Sequence, residues 1–155
     1  VEELPSRVSD LVEKLKSVEK ELATFKTAQI LATATNLLKS TVKISGFEVL
    51  SAELEADISG DDLRTISLDL RNRLSDGIVL LASKGSERST LVVAVSPSAI
   101  KAGIKAGALV KLGSEILGGG GGGKDDFAQG GGANHGEISN ALAAISKLIG
   151  QTAGN

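Results

Sequence analysis

The chain of 155 residues has no cysteine, tryptophan, tyrosine or methionine, one histidine, and three aromatic residues, Phe25, Phe47 and Phe127. Without cysteine there is no disulfide, no thiolate nucleophile and no zinc–thiolate centre, and one histidine supplies too few ligands for an imidazole-based metal site. Three phenylalanines exclude an extended platform for stacking a run of bases. No apolar run approaches the length needed to span a bilayer, so a soluble chain without membrane contact is expected. No apolar leader opens the sequence, and a cytoplasmic location is the corresponding expectation. The net charge of -2 provides no overall basic field, so any contact with nucleic acid has to be local.

What is present is an ordinary globular composition, 41% hydrophobic and 23% charged, arranged as a rod and a globule. Leu4, Val8, Leu11, Leu15, Val18, Leu22 and Phe25 recur at alternating steps of four and three, the seam of a coiled coil. With Val8 at position a, Lys14 and Glu21 fall at g, and Glu19 and Lys26 at the following e, pairs that attract in a parallel homodimer. Antiparallel packing on a preceding helix satisfies the same seam, and both arrangements stay open. Pro5 is tolerated only in a first turn, so the helix is expected from there to about Lys39, a rod of roughly 50 Å.

From Thr41 the periodicity changes. Phe47, Leu50 and Leu54 mark a strand-like run that closes at Asp57 to Gly60. Leu63, Ile66, Leu70 and Leu74 mark a helix, with Asp61 and Asp62 in its first turn and Gly77 beyond its end. Ile78–Ser83 and Thr90–Val95 read as two buried strands of a hairpin joined by a polar turn. Ser96 and Pro97 carry helix-start chemistry, and helices are expected over Ala108–Leu117 and Gly136–Ile149. The fold class is α/β in the broad sense (α+β). A long N-terminal coiled-coil-like helix, residues 1–40, precedes a small globular mixed-sheet domain flanked by helices, residues 41–155.

Nine of the 19 glycines lie between Gly118 and Gly132. Glycine admits positive φ and lets another molecule approach the main chain with no Cβ in the way, at an entropic cost. A binding loop between two helices is therefore expected here rather than a linker. Two nucleotide motifs fail on inspection. Gly118 to Lys124 fits a phosphate-binding loop on paper, but Asp125 stands where Ser or Thr would hold magnesium, and a helix precedes it. Gly118, Gly120 and Gly123 satisfy a dinucleotide fingerprint trivially, since any six glycines do. His135 near Asp126, or His135 with Ser139, offers no strained elbow or oxyanion signal, and Asp125 with Asp126 is a thin basis for magnesium or calcium. No catalytic residue, metal ligand or cofactor site is expected in this chain.

Lys105-Ala106-Gly107, the six glycines Gly118 to Gly123, and Lys124-Asp125-Asp126-Phe127-Ala128-Gln129-Gly130-Gly131-Gly132 together resemble the C-terminal domain of bacterial alanyl-tRNA synthetases, itself related to the DHH-associated domain of certain phosphoesterases. The likeness covers essentially the whole chain, since the rod is similar to the helical linker of that family. Asp125 stands where the family has Pro, Phe127 where it has Met, and Gly130 where it has Ala. Asp125 and Gly130 are expected to loosen the segment, and Phe127 to offer a stacking face.

The resemblance implies a non-catalytic domain that contacts the elbow of alanine-accepting tRNA and helps couple aminoacylation to editing. Its partners would be tRNA, the rest of the synthetase chain and, through residues 1–40, a second copy. ATP, magnesium and zinc would serve the parent elsewhere. The implied RNA-binding residues are Gly118, Gly119, Gly120, Gly121, Gly122, Gly123, Lys124, Asp126, Phe127, Gln129, Gly131 and Gly132. Lys105 and Lys111 extend them unless they are a solvated helix face. Arg64, Arg71 and Arg73 form a second basic group, in which Asp69 explains Arg73 as an ion pair. Two alternatives are the substrate-binding half of a DHH-type phosphoesterase, disfavoured because those relatives carry a histidine within the glycine motif, and a purely structural oligomerisation module.

Overall fold

The computed structural model describes residues 3–54 and 58–154, and at residues 3–6, 23, 26, 27, 30, 31, 33 and 34 it describes the backbone alone. The seam position Leu4 and the charged Lys26 thus lie outside the described side chains, and Asp57 outside the described residues. The chain divides into two compact units, Val1–Thr33 and Ala34–Asn155.

The described part of the first unit is helix. Helix α1 (Glu3–Leu37) carries Pro5 in its first turn, where a missing N–H costs nothing. Val8, Leu11, Leu15, Val18, Leu22 and Phe25 are each 57% to 71% exposed, and Val12 beside them is also exposed. Val12 occupies an e position, which widens the apolar stripe beyond a strict a/d seam.

The second unit is built on a six-stranded sheet of order β1-β2-β3-β4-β6-β5. Its strands are β1 (Val42–Ile44), β2 (Phe47–Leu54), β3 (Gly77–Lys84), β4 (Ser89–Val95), β5 (Gly120–Gly123) and β6 (Phe127–Gly132). All neighbours are antiparallel except β2 and β3. A parallel pair needs a crossover, which helix α2 (Gly60–Arg73) supplies. Ser59 caps this helix, its Oγ accepting from Asp62 N at 3.2 Å, with Asp61 and Asp62 favourably placed in the first turn. The short helix α3 (Pro97–Lys101) starts in the same way, Ser96 Oγ accepting from Ala99 N at 3.4 Å.

Side chains alternate across the sheet. Ile78, Leu80, Leu91 and Val93 join one apolar cluster with Val110 of helix α4 (Ala106–Ile116) and Ile145 and Ile149 of helix α5 (Ile138–Ala153). The intervening Val79, Leu81, Val92 and Ala94 are as deeply buried and face the side on which α2 lies against β3 and β4. A mixed sheet flanked by helices is thus what the patterning predicts. Two strands depart from it: Gly120–Gly123 and Phe127–Gly132 form a β-hairpin, not a loop.

Candidate functional site

The glycine segment begins as the exit from α4. Gly118 takes φ 76, the left-handed conformation that ends a helix, and Gly119 N donates to Ser114 O at 2.8 Å. The main chain then enters β5 and reverses at Asp125 and Asp126, where Lys124 N donates to Phe127 O at 2.9 Å. The tip is pinned on both sides of the sheet edge: Ala106 N donates to Asp125 O at 2.9 Å and Val95 N to Asp126 O at 2.8 Å. Asp125 therefore sits in a hydrogen-bonded turn rather than a loose loop.

The glycines do unlike jobs. A Cβ at Gly119 would overlap Gly131 O, one at Gly121 would fall 2.5 Å from Gly130 Cα, and one at Gly123 would fall 2.6 Å from Ala128 Cα. Gly130 would collide with Ser114 Oγ, Gly131 with Ser89 O and Gly132 with Leu117 O. Interiors packed to crystal density have no room for those atoms. At Gly120 and Gly122 a Cβ would meet nothing within 4 Å. These two positions face the open side of the hairpin, away from α4.

That open side carries two adjoining grooves. The first, about 320 Å³, is lined by Arg64, Gly122, Gly123, Lys124, Asp126, Phe127, Ala128 and Gln129. The second, about 340 Å³, is lined by Arg88, Thr90, Gly120, Gln129 and Gly130. Gln129 lines both. Arg64 reaches over from α2, its Cζ 5.2 Å from the Phe127 ring centroid, a cation–π contact that fixes a guanidinium at the rim.

Of the residues singled out in the sequence, Gly120, Gly122, Gly123, Lys124, Asp126, Phe127 and Gln129 come together along these grooves. Gly118, Gly119, Gly121, Gly131 and Gly132 lie in the same hairpin and its entry, but a helix exit or close main-chain packing accounts for each. Lys105 and Lys111 line neither groove. Arg73 pairs with Asp69 at 2.9 Å, as their spacing predicts. Two cations are absent from the sequence-level site: Arg64, grouped there with Arg71 and Arg73, and Arg88, in the turn between β3 and β4. Only the pairing of Ser89 with Gly132 and Thr90 with Gly131 brings Arg88 to the hairpin. His135 has Ser89 as its neighbour, Nδ1 to Oγ 3.3 Å, rather than Ser139. Among the described residues no three His, Asp or Glu side chains are grouped to hold a metal ion, and no helix is long and apolar enough to cross a membrane.

Residues 46–151 match the family model described as the DHHA1 domain. The alanine–tRNA ligase of Acidothermus cellulolyticus is 40% identical over 150 residues, covering 96% of this chain and 17% of that protein. That of Paenarthrobacter aurescens is 42% identical over 149 residues, covering 95% and 17%. The chain therefore spans about a sixth of the length of these curated relatives. Among solved structures, the C-Ala domain from Aquifex aeolicus alanyl-tRNA synthetase superposes with a TM-score of 0.66 at 25% identity, covering 71% of this chain and 97% of that one. A DHH domain from a member of a family of ribosomal proteins shares the fold, with a TM-score of 0.54 at 21% identity over 83% of this chain and 31% of that one.

Proposed function

The chain belongs to the DHHA1 domain family, and from that premise we propose that it is the tRNA-holding C-terminal part of an alanine–tRNA ligase. In this reading it contacts the elbow of the tRNA and performs no chemistry itself, leaving aminoacylation and editing to the rest of the synthetase. The observation that carries the reading is the open face of the β5–β6 hairpin. There an accessible main chain is ringed by Arg64, Arg88 and Lys124 in a protein whose net charge is negative. Three cations against the one carboxylate of Asp126 along this exposed backbone support local recognition of a folded phosphodiester chain where the whole-molecule field gives none. The test is a filter-binding titration of the chain at low salt against intact tRNA and against an unstructured RNA of equal length. Tighter binding to tRNA is the expected result, and equal affinities sink the proposal.

The rod has a separate role in the same reading. The exposed seam from Val8 to Phe25 supports pairing with a second copy, which would join two chains through their rods. Sedimentation equilibrium of the chain is expected to show a dimer that Leu15→Asp returns to monomer. A monomer at every concentration leaves the seam to a helix of the parent chain.

A further inference from the structure

Six of the nine glycines in the hairpin and its flanks are explained by collisions that a Cβ would cause, and Gly118 by its positive φ; Gly120 and Gly122 are explained by neither. A glycine in a strand loses more chain freedom on folding than any other residue would, and it marks a place where another backbone or a ligand comes close. Among the described residues no atom lies within 4 Å of where a Cβ at either position would stand.

We propose that Gly120 and Gly122 are the floor of a site for two consecutive nucleotides of one unpaired RNA strand. The base of one nucleotide stacks against the Arg64–Phe127 pair above Gly122, and the phosphate of the next meets Arg88 above Gly120. The inference rests on the RNA-binding reading and assigns the two grooves different tasks.

Spacing supports a pair of subsites. Positions two apart on a strand are separated by about 7 Å, within the reach of one nucleotide step, and Gln129 stands between them as a shared rim. Charge decides which end of a nucleotide goes where. In the first groove the Asp126 carboxylate lies on the lining with Lys124 and Arg64, so a phosphate there meets repulsion along with attraction. The same groove presents a ring with a guanidinium over it, a flat surface that stacks any base regardless of sequence. The second groove has Arg88 and the Thr90 hydroxyl and no carboxylate among its lining residues, which suits a phosphate oxygen. Gln129 has both a donor and an acceptor to offer a base edge.

The experiment uses the full chain and a tRNA transcript carrying the fluorescent base pyrrolocytosine in its elbow loops. The Gly120→Ala/Gly122→Ala double variant is expected to melt at or slightly above the wild-type temperature and to bind tRNA about tenfold more weakly. The control Gly150→Ala, whose Cβ makes an ordinary 3.4 Å contact with Ile44 on α5's side of the sheet, is expected to bind like wild type. Phe127→Leu and Arg64→Lys should each remove the stacking quench, the second without loss of charge. Arg88→Ala should keep the quench while lowering affinity and reducing the salt slope by about one. If wild type binds tRNA and the double-alanine variant binds equally well, or if the quench survives both Phe127→Leu and Arg64→Lys, the site is wrong while the RNA-binding reading stands. A fall in melting temperature of the double variant also overturns it, because those glycines would then serve the fold. If wild type does not bind tRNA, both fail together.

Discussion

The two central strands and the two glycine strands belong to one sheet and are held by the same main-chain ladder, yet their sequences specify them in opposite ways. In β3 and β4 nearly every residue is buried, and branched aliphatic side chains fill both faces, one under α2 and the other under α4 and α5. In β5 and β6 one face lies against Val110 and Ser114 of α4 and the other is open. The central pair is fixed by what its side chains bury; the glycine pair is fixed by what side chains would strike. The first should therefore suffer from atoms removed and the second from atoms added.

The largest expected effect is in the central pair. Leu80→Ala empties a fully buried site and should cost about 4 kcal/mol in a urea unfolding titration. Next comes Gly131→Ala, whose single added carbon overlaps Ser89 O. A loss of about 3 kcal/mol is expected in the same measurement, and a neutral result would erase the contrast between the halves. Ser114→Ala sharpens it from beneath, since this buried hydroxyl has no hydrogen-bond partner among the described residues. Its removal should raise stability by about 1 kcal/mol, read as a shift in urea midpoint. The smallest effect is Gly122→Ala, where the space is open. Thermal unfolding should show a gain of about 0.5 kcal/mol from the stiffer unfolded chain.

Legibility in the sequence followed side chains. Ile78–Ser83 and Thr90–Val95 stood out because branched runs flank a polar turn, and they are β3 and β4. The stripe of Leu63, Ile66 and Leu70 and the Ser96-Pro97 start were equally plain, and α2 and α3 occupy those places. Gly120–Gly123 could not be read as a strand, because a period of two is carried by alternating side chains and four glycines have none. β1 is three residues long and held by the turn at Ser45 and Gly46, both with positive φ, too short for any pattern. For the site, Lys124 to Gln129 was visible as one stretch. Arg64 was visible only as part of a basic helix face, and Arg88 not at all. Their neighbours across the grooves lie dozens of residues away in the chain, and only the crossover through α2 and the register of β4 against β6 bring them near.

The place of β5 at the end of the sheet has a consequence for how copies of this protein treat one another. Every second residue of Gly120–Gly123 turns its N–H and C=O away from β6, toward a margin on which no further strand is paired among the described residues, an invitation to any passing strand. Sheet margins are commonly guarded by lysines, prolines or inward charges, but a run of glycine has no side chain with which to refuse a neighbour, and the charged Lys124, Asp125 and Asp126 stand sentry at one end alone. Concentrated protein is thus most exposed to strand-on-strand association at this margin.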